Sequence, residues 1–295
     1  MFYAVRKVES IVDLRKEIKH NFLKQIMFRM DFKGLLENDV ENSVSEVRQL
    51  LYENGLVDLN TRTENQMDLQ VKIDLNLPEE NPFSVRNIST DTVYVFKSND
   101  QNEIIEISRT FLTLTVTVDQ VYSGFDKYVE LLVKFIIALK TKSPFFKVMR
   151  IGLRKINLCY VDDLNTLSEY FVTGAFNISE TLGCMQGLTG KASNLLTILE
   201  KEPFQINYVR NLQEGMIAIN GDQVRVYQAI IDVDVYCDSI RNIEILLKNE
   251  DSVREMLIQQ NTTAFVCYVN SLTESFIKKL TEKEFNDKHI WEVHE

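Results

Sequence analysis

Asp68-Leu69-Gln70-Val71-Lys72-Ile73-Asp74-Leu75-Asn76-Leu77 alternates without a break. Side chains in an extended strand have a period of two, so Leu69, Val71, Ile73, Leu75 and Leu77 share one side and the polar residues take the other. The stretch reads as a half-buried strand with one wet face, closed by Pro78 and Pro82. Val93-Tyr94-Val95-Phe96 reads as a second strand, and Asn99-Asp100 supplies turn chemistry. Glu103 to Val118 reads as a third, with Leu112, Leu114, Val116 and Val118 alternating against Thr113, Thr115 and Thr117. Three consecutive strands with short links predict an antiparallel meander.

Working upstream, residues 1–20 have the spacing of a short amphipathic helix with Ile11, Leu14 and Ile18 on one face. Two readings stand: a helix docked on the body, or a basic arm for a partner or nucleic acid. Phe22 to Phe32 reads as a strand. Ser43-Val44-Ser45-Glu46 has capping-box spacing and Gly55 is a C-terminal stop, which predicts a helix over 43–54. Downstream, Tyr128, Leu131, Leu132, Phe135, Ile136 and Leu139 give a helix over 125–141, and Val129, Val133 and Ile137 widen its stripe enough to require burial on more than one side. Lys147 to Val161 is the next strand. Residues 162–192 hold Gly174, Gly183, Gly187 and Gly190 and read as a loop. Leu195 to Val209 and Met216 to Cys237 read as a long hairpin joined near Gln213-Glu214-Gly215, with a tighter turn at Asn220-Gly221 as the alternative. About 250–283 reads as one long helix or two short ones.

The expected fold is therefore α+β, mostly antiparallel: β-α-βββ-α-β in the first half, then a strand pair plus a C-terminal helix in the second. The second half echoes the first in outline, with alternating strands followed by a long apolar helix. The organisation is an N-terminal helical extension (1–20), an α+β domain (21–161), a Gly-rich loop (162–192), a β-hairpin plus long helix packed with the first half (193–285) and a polar tail (286–295).

Composition bounds the function classes. The chain has 295 residues, a formal charge of −10, 45% hydrophobic residues, 10 Gly and 4 Pro, which is a folded globular composition with long elements and little loop. No stretch approaches the roughly 20 apolar residues of a membrane-spanning helix, so no membrane role is expected. Residues 1–20 carry a net +2, leaving −12 for the remainder, which excludes non-specific coating of nucleic acid; nucleic acid could be met only through a local basic spot. Cys159, Cys184, Cys237 and Cys267 form no Cys-x-x-Cys pair and read as reduced thiols, and the charged N-terminal stretch lacks a secretory apolar region, so a cytoplasmic location is expected.

Few constellations carry chemistry. His20, His289 and His294 all lie near the ends, so histidine catalysis would have to be built from the termini. Gly187-Leu188-Thr189-Gly190-Lys191-Ala192 resembles the end of a phosphate loop, but Met185 stands where the first glycine belongs and Ala192 where the hydroxyl belongs. Asp232 and Asp234 share one strand face, and with Asp238, or Asp162 and Asp163, could hold Mg or Mn; the simpler reading makes them the wet face of a strand that buries Val233 and Val235. Arg150 and Arg154 share a face with Gly152 between them, while Ile151, Leu153 and Lys155 take the other. Two guanidiniums with no side chain between them suit a carboxylate, a phosphate or an acidic partner; ion pairing with Asp74, Asp232 or Asp234 fits equally well.

Arg150-Ile151-Gly152-Leu153-Arg154, followed by Ile156-Asn157, resembles the Arg-Ile-Gly-Leu-Arg-Tyr-Ile-Asn strand of a sporadically distributed, uncharacterised bacterial family. The Leu-x-Leu-x-Val run at 112–116, the Tyr122…Gly124-Phe125 approach to a helix, the strand 230–236 and the Phe276…Leu280-Thr281 helix end fit the same pattern, so the resemblance covers about 22–285. Lys155 stands where that family has Tyr, and Met27-Phe28-Arg29-Met30-Asp31-Phe32 replaces its Glu-Ile-Arg-Phe opening. The resemblance implies a bacterial cytoplasmic protein of mobile accessory loci, of the defence or toxin–antitoxin type, and supplies no catalytic residue. The expected function is a non-enzymatic binding or regulatory protein without a cofactor, a homodimer through an apolar helix face, meeting a protein partner around Arg150, Gly152 and Arg154. The alternative is a metal-dependent hydrolase or nuclease using Asp232 and Asp234.

Overall fold

The computed structural model describes residues 8–71, 83–118, 124–176, 192–219, 222–285, 287 and 290–291. In chain order the elements are α1 (Val8–Glu17), β1 (Leu23–Lys33), α2 (Glu37–Glu53), β2 (Asp58–Val71), β3 (Phe83–Lys97), β4 (Glu103–Ile107), β5 (Phe111–Thr117), α3 (Asp126–Lys140), β6 (Lys147–Val161), a 3₁₀ turn at Leu164–Thr166, α4 (Leu167–Tyr170), β7 (Ala192–Lys201), β8 (Phe204–Ile219), β9 (Asp222–Cys237), α5 (Ile240–Leu246), α6 (Glu250–Val269), α7 (Glu274–Thr281) and β10 (Ile290–Trp291). The fold is α+β with an antiparallel sheet, as the alternation predicts.

One sheet runs through both halves in the order β2-β3-β4-β5-β1-β6-β9-β8-β7, with β10 pairing the end of β6. At its centre β1 and β6 pair with each other. Each then pairs with the last strand of the run that follows it, β1 with β5 and β6 with β9. Those runs meander outward, and a long helix follows each one, α3 after the first and α6 after the second. The echo between the halves is thus a repeated topology.

Alternation decides which face carries the core. Ile26, Phe28 and Met30 on β1, Leu112 and Leu114 on β5, Ile151 and Leu153 on β6 and Val233 and Val235 on β9 are all fully buried on one face, against the helices. The broad stripe of α3 is buried as its sequence requires, between α2, α6 and the sheet. Lys134 with Glu250, and Arg254 with Glu130, tie α3 to α6 across their exposed rims. The stripe is therefore consumed within the chain, and the apolar helix face expected to meet a second copy is internal. Large apolar side chains are exposed instead on edge strand β7, at Leu196, Ile198 and Leu199. Beyond the ends of β1 and β6, Phe22, Tyr170, Phe171, Phe276 and Phe285 form a cluster of ring contacts with centroid separations of 5.0–6.4 Å.

Three boundaries differ from the sequence reading. The helix expected over 43–54 begins at Glu37; the Asp39 carboxylate accepts from the Leu36 amide at 2.9 Å and Ser43 is buried inside the helix. The single strand expected over 103–118 is a hairpin, turned at Ser108-Arg109-Thr110, where the Ser108 hydroxyl accepts from the Thr110 amide at 3.1 Å and supplies the turn without glycine or proline. Gln213-Glu214-Gly215 lies inside β8, paired with β9 throughout and with β7 up to Gln213, and Gly215 is extended with Gln228 packed over it; the chain reverses at Glu202-Pro203, and Ile219 pairs with Asp222. A further helix, α5, precedes the C-terminal helical region, whose 250–283 stretch is two helices, α6 and α7, as one of the two readings had it; the Asn249 and Thr273 side chains accept from the Ser252 and Phe276 amides as N-caps. Residues 72–77 of the alternating stretch, Asn220-Gly221 and 177–191 of the glycine-rich loop lie outside the described residues.

Phe28 is fully buried in the central strand, opposite Leu114 on one side and Leu153 on the other. Phe28→Ala is expected to lower unfolding free energy by about 3–5 kcal/mol, read from denaturant midpoints at unchanged slope.

Candidate functional site

The second face of the sheet is polar at its centre. Register places Arg29 opposite Gly152, Met27 opposite Arg154 and Asp31 opposite Arg150, and across the other edge of β6 Gly152 meets Tyr236 and Arg154 meets Asp234. The described helices pack on the first face. Arg150, Gly152, Arg154, Asp232 and Asp234 are thus brought together, all on one surface.

Their contacts settle how they are used. Arg150 Nη2 donates to Asp234 Oδ2 at 2.7 Å, and its guanidinium lies 4.6 Å from the centroid of the Tyr236 ring. Arg154 is bidentate on Asp232, with Nε donating to Oδ1 at 2.8 Å and Nη2 to Oδ2 at 2.5 Å. Such charge-assisted forks fix both groups. The Asp232 bonds hold the Arg154 guanidinium above its ordinary range. Burial pushes the Asp234 carboxyl up, against the opposing pull of Arg150 and Arg154. The arginine side chains remain 31% and 45% exposed while the aspartates are 18% and 13% exposed, so the guanidiniums form the outer layer and the carboxylates the inner one.

Gly152 has a steric role. A Cβ there would stand 2.8 Å from the Tyr236 Cβ and 3.4 Å from Asp234 Oδ1. The space between the two arginines is therefore filled by the ring and carboxylate of β9, and the ion-pairing reading of Arg150 and Arg154 describes their contacts. The carboxylates proposed to complete a metal site do not converge on Asp232 and Asp234. Asp163 caps the turn after β6, accepting from the Asn165 amide, two residues past the end of that strand; Val161, its last residue, is five residues from Ile156, the partner of Asp232, or about 16 Å at 3.3 Å per residue. Among the described residues no group of three His, Cys, Asp or Glu side chains is placed to hold a metal ion.

No protein-family model matches the chain, and no curated protein matches it. Among solved structures it was compared with the S. pombe Pct1 RNA triphosphatase in complex with the Spt5 CTD, at 6% identity and a TM-score of 0.11, covering 96% of both chains. A second structure of that triphosphatase gives 8% identity and a TM-score of 0.12, covering 96% of this chain and 95% of the other. Neither likeness carries an argument about this chain. No described helix is long and apolar enough to cross a membrane.

The other notable side chains lie on the helix side. Cys159 and Cys237 are buried thiols and Cys267 is half-buried; burial pushes all three up, away from the reactive thiolate. Cys184, His289 and His294 lie outside the described residues, and His20 packs against Phe285. Lys155 is the residue whose significance the sequence reading missed. Its parity places it with Ile151 and Leu153, its strand neighbours are the fully buried Ile26 and Val233, and its amine donates to Asn261 Oδ1 on α6. Burial, reinforced by the charge of Arg15, lowers it to about 7 against a slight opposing effect of Asp126. The signal was a lysine in an apolar row, at the position where the resembling signature has tyrosine.

Two outcomes follow from these geometries. Arg154→Met strips the buried Asp232 of its cation and is expected to lower stability by about 1–3 kcal/mol, most of which the double variant Arg154→Met/Asp232→Asn recovers; urea unfolding of the two variants measures both. For Lys155, the unfolded chain keeps its proton up to about 10.5 while the folded one sheds it near 7, so this group adds stability as pH rises through that window. Melting temperatures from pH 6 to 10 should rise less steeply for Lys155→Met than for the parent, and the variant should gain most at the acid end.

Proposed function

We propose that this chain is a non-enzymatic binding or regulatory protein of a bacterial accessory locus, of the defence or toxin–antitoxin type, and that it docks a protein partner on the sheet face around Arg150, Gly152 and Arg154. The observation that carries the reading is the pair of half-exposed guanidiniums held in place by Asp234, Asp232 and the Tyr236 ring, on a face that no described helix covers. Arginine and tyrosine dominate binding energy at protein interfaces, and immobilising them before contact removes part of the entropy cost of docking. The accessory-locus part of the reading rests on the resemblance of Arg150–Asn157 to a bacterial signature strand. The cytoplasmic location is supported by the unpaired thiols Cys159, Cys237 and Cys267. A homodimer belongs to the same reading, and the surface that fits it is edge strand β7, with Leu196 and Ile198 exposed.

The test uses proteins encoded beside this one in its host, offered as purified candidates. Arg154→Glu/Asp232→Arg keeps an ion pair of opposite sense and so keeps the fold, while reversing the charge of the outer layer. The swapped protein should melt within a few degrees of the parent, by the roughly 4 °C or less that 1 kcal/mol shifts a chain of this size, and bind its partner at least tenfold more weakly. A neighbour that binds both forms equally would remove the face from the interaction.

A further inference from the structure

A second surface feature lies on the opposite side of β6. A cavity of about 290 Å³, open to solvent at one side, is enclosed by α1, the start of α3, β6 and α6. Its volume is at the small end of the range that holds organic ligands. β6 contributes Lys155 and Asn157, α6 contributes Asn261, Phe265 and Tyr268, and α1 contributes Arg15 and Lys16. α1 is docked as this wall: Arg15 donates to Thr262 Oγ1 at 3.3 Å and lies 5.0 Å from the Phe265 ring centroid, and the Lys19 amide donates to the Leu280 carbonyl at 2.9 Å. The N-terminal helix is thus a docked helix, and its basic residues are turned partly to this cavity.

Lys155, Arg15 and Lys16 face the cavity, against Asp126 from α3; Tyr268 is the titratable group of α6 there, and Asn21 before β1 and Leu23 at its start complete the lining on that side. A lysine ammonium has three donors, and the hydrogen bond of Lys155 goes to Asn261. Among the described residues no carboxylate lies within ion-pairing distance of its amine. A buried amine without a counter-ion is expensive to charge, and replacement by an apolar side chain would fill the same space. The remaining walls, from Ile18, Phe125, Ala264 and Phe265, are apolar.

We propose that this cavity binds a small organic carboxylate, whose head group takes the amine of Lys155 and the amide of Asn261 and whose hydrocarbon part lies against Phe125 and Phe265. The apolar walls at Phe125 and Phe265 fit a carboxylate that carries a hydrocarbon part, which inorganic phosphate lacks. Binding requires the ammonium form of Lys155, so the ligand draws a proton onto the chain whenever the solution is above the pH at which the empty site gives it up.

The test uses hexanoate and benzoate as probes with the full chain, at constant ionic strength, with inorganic phosphate as the control anion. Both carboxylates should raise the melting temperature, and titration calorimetry should give affinity about tenfold or more tighter at pH 6 than at pH 8.5, as expected for a group that titrates near neutrality. Calorimetry in buffers of different ionisation enthalpy should register proton uptake at pH 8. Lys155→Met, which keeps the fold and removes the amine, should abolish binding, and Asn261→Leu should weaken it with Lys155 retained. The proposal is overturned if neither carboxylate shifts the melting temperature at either pH, if Lys155→Met binds as the parent does, if the affinity is independent of pH, or if phosphate stabilises the chain as much as the carboxylates.

Discussion

The antiparallel pairing of β1 with β6 is the contact on which everything else depends. Among the described residues it is the sole join between the two meanders of the sheet: β5 reaches β9 only through these two strands. Phe28 and Leu153, opposite each other in its register, are both fully buried. The pairing also sets the phase of each strand. A slip by one residue would turn Arg150, Gly152 and Arg154 towards the helices and expose Ile151 and Leu153. The apolar cost of that exchange holds the register, and the register in turn places every polar group discussed above. The site is therefore a by-product of how the core is packed.

Electrostatics on the second face follow from the acidic excess of the chain. With a formal charge of −10 carboxylates are plentiful: Arg150 and Arg154 meet Asp234 and Asp232 on the neighbouring strand, Arg29 and Arg62 meet Asp31 and Glu64 on their own strands, and Arg109 in the β4–β5 turn meets Asp91. The Arg29–Asp31 and Arg62–Glu64 pairs are part-exposed on both sides and contribute little to stability, whereas Asp91 and Asp232 are buried and depend on their arginines. A further effect is geometric: the bidentate Arg154 fork and the Arg150–Tyr236 stack fix long side chains that would otherwise be mobile. Gly152 makes this arrangement fit, by leaving room for Tyr236 and Asp234 to approach β6.

β6 presents two different chemistries on its two sides. Its outward residues are arginines paired with aspartates; its inward row carries Lys155, which donates to a neutral amide and has no counter-ion among the described residues. Water screens the first set, whereas burial acts on the second in full and lowers the amine to about 7. The tail after α7 returns to the same strand. Asp287 accepts from the Tyr170 hydroxyl at 2.7 Å and from Lys279 at 2.6 Å, and Ile290–Trp291 adds β10 beside Tyr160 and Val161. Residues expected to form a polar tail are in part an anchor for the end of the sheet.

The sequence by itself determined whatever depends on local periodicity. Period-two alternation placed Lys147–Val161 as a strand with both ends as observed, assigned Arg150 and Arg154 to one face and Asp232 and Asp234 to the wet side of theirs, and the broad stripe of α3 required its double burial. It misjudged turns that side-chain hydroxyls make without glycine, as at Ser108, and a glycine that serves close packing instead of reversal, as at Gly215. Only the tertiary structure decided which strands became neighbours, because pairing between β6 and β9 joins residues about eighty positions apart and no local pattern encodes it. That pairing selected Asp232 and Asp234 as the partners of the arginines. The packing of α1 and α6 over β6 likewise turned one lysine in an apolar row into a buried polar group of a cavity, a consequence of solvent exclusion that exists only once distant elements have closed around it.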